Sequence, residues 1–512
     1  MALFESTLVL VLVAIFLLQI SRSLTIPYPT LLALAGVLVA ALPGAPMIEI
    51  DPQLAMALFI APALLNASFD FPAPMLRRFW RPLLAMAGMA VLVTTAAVAW
   101  VGVALAGLPL AAAIALGAIV APPDAAASAA LLGRLNLPRS TVRVLEGESL
   151  LNDAVALLIF SGAVGAVSAA SVTDFVPRLV LAVPAAIALG IGLAWVKIWL
   201  YPGMMGTLRN TLLQFAATFA VWIIAERLHL SAVLAVVAFA MTLGRYMPAR
   251  QTPHDRMVSY AVWDVAGFLL NVLAFLLLGL QARSIVERLT PGEIWGALGF
   301  ALVVLATVIG ARIAWVVVYN LLTRVWHRWF GGQPAPHHRV SVLVSWCGIR
   351  GLVTLATALA LPAGFPGRDV IVLSALIVVL GTLALYGLTL APLIKRLGFE
   401  PDRSFDRELA DARVMLLDAG IESLDRREDA SAGKLRHVLT GERKLASEGH
   451  NPRAVSHGHH LRRRTLIAER RKLMQLRQSG VIEDDVFHVL LQELDWAELA
   501  ASPPGRFRIV EG

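Results

Sequence analysis

From Met1 to Leu397 the chain is a series of apolar runs, each about 20 residues long, the length a helix needs to cross the hydrocarbon of a bilayer. In lipid the backbone must satisfy its own hydrogen bonds, so such runs fold as helices. Soluble domains hold about 25% charged residues; this chain of 512 residues holds 15%, with 58% hydrophobic. The charge is also uneven. Residues 1–397 carry little of it, whereas 398–512 have the composition of an ordinary soluble segment. The expectation is an all-α polytopic membrane domain over 1–397 and a helical cytoplasmic tail over 398–512.

Counting runs of that length gives about thirteen spans: 6–22, 28–45, 52–70, 80–106, 109–132, 140–165, 176–201, 210–228, 231–246, 258–282, 294–322, 340–361 and 369–394. The opening MALFESTLVLVLVAIFLLQI has no basic leader and no small-residue cleavage site, so it reads as a first span. Arg22, the groups Arg77, Arg78 and Arg81, then Arg134, Arg139 and Arg143, then Arg209, then Arg245, Arg250 and Arg256, and Arg324, Arg328 and Arg339 fall in alternate loops. Arg283 and Arg288 depart from this alternation, with Glu287 and Glu293 beside them. The positive-inside rule puts the Arg-rich loops in the cytoplasm, the N-terminus outside and the tail inside the cell membrane. The net charge of +8 is mostly loop arginine, which is not the basic face of a nucleic-acid-binding protein. The one cysteine, Cys347, cannot form an intrachain disulfide.

Two runs are interrupted at their centres. In the fifth, AAIALGAIVAPPDAAASAALL, Pro122 and Pro123 remove backbone donors and break the helix ahead of Asp124. In the twelfth, VSVLVSWCGIRGLVTLATALALP, Gly348 and Gly351 flank Arg350. Interrupted helices in corresponding places of two halves mark inverted-repeat transporters. The fifth and twelfth spans fit repeats over spans 2–6 and 9–13, a pattern unsupported by residue identity between the halves.

Glu148 and Asp153 open the apolar run AVALLIFSGAVGAV of the sixth span. A central intramembrane Asp costs roughly 2.5–3.5 kcal/mol even on lenient insertion scales, so such acids face a partner, a cavity or an ion path. Glu148 and Asn152 are four apart, as are Ser149 and Asp153, so two polar ridges share one face of a helix. Asp153 with Ser149 and Asn152 offers oxygen ligands to a small cation, or a proton site. The bland alternative is a polar clamp between helices. Asp124 reads either as a cap on the second half of its broken span or as a site residue. Arg350, at the negative end of the first half of its own span, is paired here with Glu148, leaving Asp153 to exchange ions. Lys197 and Arg312 read as near-end residues able to snorkel, Glu226 and Arg227 as solvated at the outer edge, and Asn271 as an interhelical hydrogen-bonding residue. Trp263 and Asp264 precede the run FLLNVLAFLLLGLQ.

In the tail, ELADARVMLLDAGIESL and a longer stretch with a joint at Ser479–Gly480 have helical spacing. Between them SHGHH, with His457, His459 and His460, lacks completing acids or cysteines and reads as a solvated loop. No pattern names a regulatory ligand for the tail.

Several blocks together resemble the sodium/proton exchanger family of monovalent cation:proton antiporters. EGESLLNDAVALLIF, Glu146 to Phe160, is similar to its Asn-Asp motif segment. SWCGIRGLVTLATALALP, Ser345 to Pro362, is similar to its Gly-Leu-Arg-Gly segment. AERLHLSAVLAVVAFAMTLG, FLLNVLAFLLLGLQ and the tail's SGVIEDDVFHVLLQELDWAE add to the likeness. The resemblance implies a bacterial antiporter without a cofactor, exchanging Na+, or Li+ or K+, for H+, one for one, as a homodimer in the lipid bilayer. It implies that Asp153 binds the cation and the proton in alternation, with Asn152 as motif partner and Ser149 as a nearby oxygen. It further implies that Glu148 pairs with Arg350 and that Asp124 lies at a helix crossing. Two departures bear on selectivity and pH set-point. Pro123 stands where members often have Thr before the Asp, and Asn66 where many have an acid.

A different class, an intramembrane enzyme using buried acids, would need Tyr-Asp and Gly-x-Gly-Asp contexts or a zinc motif, and the sequence has none of these. A receptor or scaffold reading leaves the two broken spans unexplained.

Overall fold

The computed structural model describes residues 28–41, 51–69, 71, 80–124, 139–168, 175–204, 208–287, 291–330, 337–399, 404–424, 430–447, 465–476 and 484–500, with scattered positions between 12 and 19. Among them every regular element is helical. The chain divides into two compact units, Met1–Glu400 with Glu511–Gly512, and Pro401–Val510.

In the first unit α1 is Tyr28–Ala40. Helix α2 runs from Pro52–Ala55 through a π-helical stretch, Met56–Ile60, to Ala61–Phe69. Helix α3 spans Trp80–Ala106 and contains a second π-helical stretch, Leu84–Met89. It stops at Gly107, whose left-handed φ of 60° suits a residue without a Cβ. Then follow α4 (Leu110–Val120), α5 (Arg139–Ser168), α6 (Phe175–Leu200), α7 (Leu208–Arg227), α8 (Ala232–Tyr246) and α9 (Pro253–Val286). The unit closes with α10 (Pro291–Phe330), α11 (His338–Trp346), α12 (Leu352–Leu359) and α13 (Arg368–Leu397).

Among the described residues six helical stretches are long and apolar enough to cross a membrane: Trp80–Ala106, Val144–Val167, Leu181–Leu200, Pro253–Val286, Ile294–Trp329 and Arg368–Leu397. Shorter apolar helices include Tyr28–Ala40, Gln53–Phe69, Leu110–Val120 and Ala232–Tyr246. Helix starts follow ordinary capping: Ser231 accepts from Leu234 N at the head of α8, and Thr252 accepts from Asp255 N at the head of α9.

Apolar packing within this unit falls into two main clusters. One joins α1, α3, α4, α10–α13 and the C-terminal half of α9, through residues such as Leu116, Val304, Val379 and Phe275. The other joins α2, α6, α7 and α8 with Trp263 of α9, through residues such as Leu65, Trp222 and Phe239. Helix α5 serves both, with Leu145 and Ala163 in the first and Leu150 and Ala154 in the second. Asp153 therefore lies on the helix where the two clusters meet.

The second unit contains α14 (Ser404–Leu424), α15 (Ala430–Ser447), α16 (465–476) and α17 (Asp484–Ala500). Arg443 of α15 ion-pairs with Asp418 of α14, and Arg470 of α16 with Asp495 and Glu498 of α17. The Ser479–Gly480 joint and the histidines at 457, 459 and 460 lie outside the described residues.

Candidate ion-binding site

Both interrupted spans are broken where their sequences require it. Helix α4 ends at Val120 and Ala121–Asp124 is non-helical; α11 ends at Trp346 and the chain is non-helical through Cys347–Gly351 before α12 begins. Residues 125–138 are not among those described, so a half-helix capped by Asp124 falls outside them.

The two breaks bind each other. Asp124 N donates to Ile349 O at 2.7 Å, and Arg350 Nε donates to Val120 O at 2.7 Å. A helix that stops inside a protein leaves carbonyls unsatisfied and a partial negative charge at its end. Arg350 answers both for α4, and its Nη1 also serves Gly348 O at 3.0 Å. Its backbone N–H donates to Thr382 Oγ1 of α13 at 3.0 Å. Gly351 is set by the same crossing: a Cβ there would overlap Asp124 Oδ2 and stand 2.9 Å from Asp124 Cβ.

Helix α5 packs on this crossing with its polar ridges. Asn152 Nδ2 donates to Pro123 O at 3.0 Å, and Ser149 Oγ to the same carbonyl at 3.4 Å. The carbonyl stranded by the proline break thus finds its partners on the ridge expected to face inward. Asn152 is fully buried, and its Oδ1 has no hydrogen-bond partner. Asp153 is 7% exposed, and the charges acting on it are those of Asp124 and Arg350. One carboxylate, a leftover amide oxygen and a second carboxylate make an oxygen donor set suited to a hard cation or a proton.

Glu148 is not paired with Arg350. It is held by Arg312 of α10, Nη1 to Oε1 at 2.7 Å and Nη2 to Oε2 at 3.3 Å, with both side chains buried. Arg312 also donates to Val344 O, at 3.2 Å from Nε and 3.0 Å from Nη2, and to Cys347 O at 3.2 Å. The physical reason is symmetrical. Each broken span presents a negative helix end, and each buried arginine takes one, Arg350 that of α4 and Arg312 that of α11. Gly348 leaves room for this, since a Cβ there would lie 2.7 Å from Arg312 Cδ. Nor does Arg312 snorkel. Helix α10 is 40 residues long and Arg312 lies near its middle, 3% exposed. The signal was present in the sequence as one arginine deep inside ALVVLATVIGARIAWVVVYN.

Lys197, three residues before the end of α6, is 4% exposed, so it too is buried rather than snorkelling. Glu226 and Arg227 are exposed at the end of α7. Thr354, on the first turn of α12, leaves a buried hydroxyl without a partner, a position that no sequence pattern singles out. Among the described residues no group of three or more His, Cys, Asp or Glu is placed to hold a metal ion.

Two interrupted spans that meet beside a buried carboxylate fit the architecture of a secondary transporter. The model of the family described as sodium/hydrogen exchanger, transmembrane, matches residues 8–396, and the chain belongs to that family, one of membrane transporters and not of enzymes. It is 32% identical over 413 residues to an uncharacterised Na+/H+ exchanger of Mycobacterium tuberculosis, covering 77% of this chain and 75% of that one. It is 28% identical to a sodium, potassium, lithium and rubidium/H+ antiporter of Bacillus pumilus, covering 94% of this chain and 75% of the other. Among solved structures it is similar in fold to the sodium proton antiporter MjNhaP1 from Methanocaldococcus jannaschii. The TM-score is 0.61 at 19% identity, over 76% of this chain and all of that one. The chain is thus a multi-pass membrane protein of the cation/proton antiporter class.

Proposed function

We propose that the protein exchanges one monovalent cation for one proton at Asp153 by alternating access. The observation that carries this reading is Asp153 itself, buried beside the crossing of the two breaks next to the unpartnered Asn152 Oδ1. Cation and proton compete for the same carboxylate, and either one neutralises it. A bare carboxylate is costly to carry across a hydrophobic barrier, so the empty site does not cross, and this alone couples the two fluxes. A single titrating acid carries the same charge in either loaded form, which makes the exchange electroneutral. Asn152 and Ser149 hold the Pro123 carbonyl and so fix the break against which Asp153 works. Asp124 is the second acid of the site. Glu148, with Arg312, is structural.

The cation in this reading is Na+, with Li+ or K+ as alternatives; the name of the Bacillus pumilus relative includes all three. The architecture that goes with it has about thirteen spans, with spans 2–6 and 9–13 as inverted repeats, the N-terminus outside, the tail in the cytoplasm and two copies in the inner membrane. Loop arginines support the orientation, and α5, at the meeting of the two apolar clusters, supports movement of one bundle against the other.

Purified protein in liposomes with a pH-sensitive dye, given Na+, K+ and Li+ separately, tests the reading. Cation-driven dequenching with at least one ion is expected. Its absence with all three would overturn the function.

A further inference from the structure

We propose that Thr354 is a further ligand of the transported cation, supplying a neutral hydroxyl oxygen beside Asp124. The proposal rests on the antiport reading above.

Thr354 is 1% exposed, and its Oγ1 has no hydrogen-bond partner. A buried hydroxyl left unpaired is unfavourable, so one that is kept calls for a reason. A threonine inside a helix commonly satisfies its hydroxyl on the carbonyl four residues back. Thr357, one turn further along α12, does so on Val353 O at 2.7 Å, and Thr382 of α13 on Val378 O at 2.8 Å. For Thr354 the corresponding carbonyl belongs to Arg350, which lies in the break before α12 begins. The break that interrupts the span therefore also leaves this hydroxyl unused.

Its neighbours place it at the crossing. Gly351 stands at the cap position of α12 and has no side chain with which to cap it. The place of the missing Cβ is taken by the Asp124 carboxylate, whose Oδ2 it would overlap. Asp124 there offsets the positive end of α12. Residues three apart on a helix have Cβ atoms about 5–6 Å apart, so the Thr354 side chain lies about one turn from the Asp124 carboxylate. Ala358, four residues beyond Thr354 on the same face, packs in the apolar cluster that holds Leu116 and Val120 of α4. The face that bears 351, 354 and 358 is thus turned toward α4 and its broken end. Leu352 and Val353 pack instead in the cluster of Leu150 and Ala154 of α5, which flank Asn152 and Asp153.

The charge of Asp124 acts in turn on Asp153. Two carboxylates and two unpartnered neutral oxygens, Asn152 Oδ1 and Thr354 Oγ1, therefore belong to one crossing. Hard cations are bound by sets of oxygens. A hydroxyl strengthens such a set without adding charge, so the loaded site keeps the charge count that electroneutral exchange requires.

The experiment uses full-length protein in liposomes, driven by each of Na+, Li+ and K+ that wild type carries. Thr354→Val keeps the shape and removes the hydroxyl. It is expected to raise the cation KM about tenfold, the factor for one lost polar contact to a charge, with kcat near wild type because the lost contact is a binding one. Thr354→Ser should keep the wild-type KM. In detergent, the Na+ concentration that gives half of the maximal thermal stabilisation should rise by the same factor in Thr354→Val, a readout of binding without transport. Its melting temperature without cation should not fall, since an unpaired hydroxyl has been removed. An unchanged KM in Thr354→Val overturns the proposal, as does a KM raised equally in Thr354→Ser and Thr354→Val. A fall in kcat and melting temperature with the half-stabilising Na+ concentration unmoved would show a structural role and also overturn it. If Thr354→Val does not fold, Thr354→Ala takes its place against Thr354→Ser: a raised KM in Ala alone supports the proposal, and equal KM values overturn it. Failure of the antiport reading is distinguishable, because wild type would then show no cation-driven flux with any ion, whereas failure of this proposal leaves wild-type flux intact.

Discussion

Arg312 on α10 and Glu148 on α5 stand 164 positions apart in the chain and close a two-pronged ion pair, 2.7 and 3.3 Å, with both side chains buried. The same guanidinium satisfies the carbonyls of Val344 and Cys347, so it ties α5 to the broken end of α11. Removing one member of a buried pair costs about 3–5 kcal/mol because the other is left bare. Arg312→Met should therefore lower the melting temperature in detergent sharply. Glu148→Gln should be milder, since Arg312 keeps its two carbonyls. The double variant Glu148→Gln with Arg312→Met should be more stable than Arg312→Met alone. Equal stability of the double variant and Arg312→Met would count against the pair.

A methyl group at position 351 would collide with the Asp124 carboxylate. Overpacking of this kind costs about 1–3 kcal/mol. Gly351→Ala should lose both thermal stability and cation-driven proton flux. Gly364→Ala, where a Cβ meets nothing within 4 Å, serves as the control and should leave both unchanged. Wild-type flux in Gly351→Ala would show that the crossing tolerates displacement of Asp124.

Pro123 O receives its hydrogen bonds from Asn152 and Ser149. Asn152→Ala leaves this buried carbonyl with the longer bond alone, and an unsatisfied buried group costs about 1–3 kcal/mol. Its melting temperature should fall further than that of Ser149→Ala. The opposite order would show that the 3.4 Å bond from Ser149 is the stronger support.

These contacts show what could be read from the sequence and what could not. The two breaks were legible because Pro122 and Pro123 forbid a helix and because glycines flank Arg350; both are local facts of backbone chemistry. The inward face of α5 was legible for the same reason, since the spacing of Glu148, Ser149, Asn152 and Asp153 is a helical repeat. The partner of Glu148 was not. Two arginines are buried nearby, and which one it meets depends on which helix end each must neutralise, a matter of tertiary packing.

In the second unit the Arg443 guanidinium holds the Asp418 carboxyl below the usual carboxylate range, chiefly through their direct hydrogen bond. A depressed folded-state value means the pair's stabilisation is fully present above the unfolded carboxylate pKa of about 3.9 and is lost as pH falls through the lower folded value. Both side chains are solvent-accessible, so the effect is small and screened by salt. Amide hydrogen exchange across Ser404–Ser447 should be slightly faster in Asp418→Asn than in wild type at about pH 7 and low salt. The difference should disappear in about 1 M salt. A difference that survives high salt would mean that Asp418 acts through something other than this pair.

The most direct test is cation-driven proton flux through Asp153→Asn in liposomes, with protein folded as judged by its melting temperature. An amide at this position cannot carry the proton and loses the charge that holds the cation. The expected result is no dequenching with Na+, K+ or Li+ at any pH, beside a robust wild-type signal. Full flux through the folded Asp153→Asn protein would contradict the assignment of Asp153 as the exchanging acid.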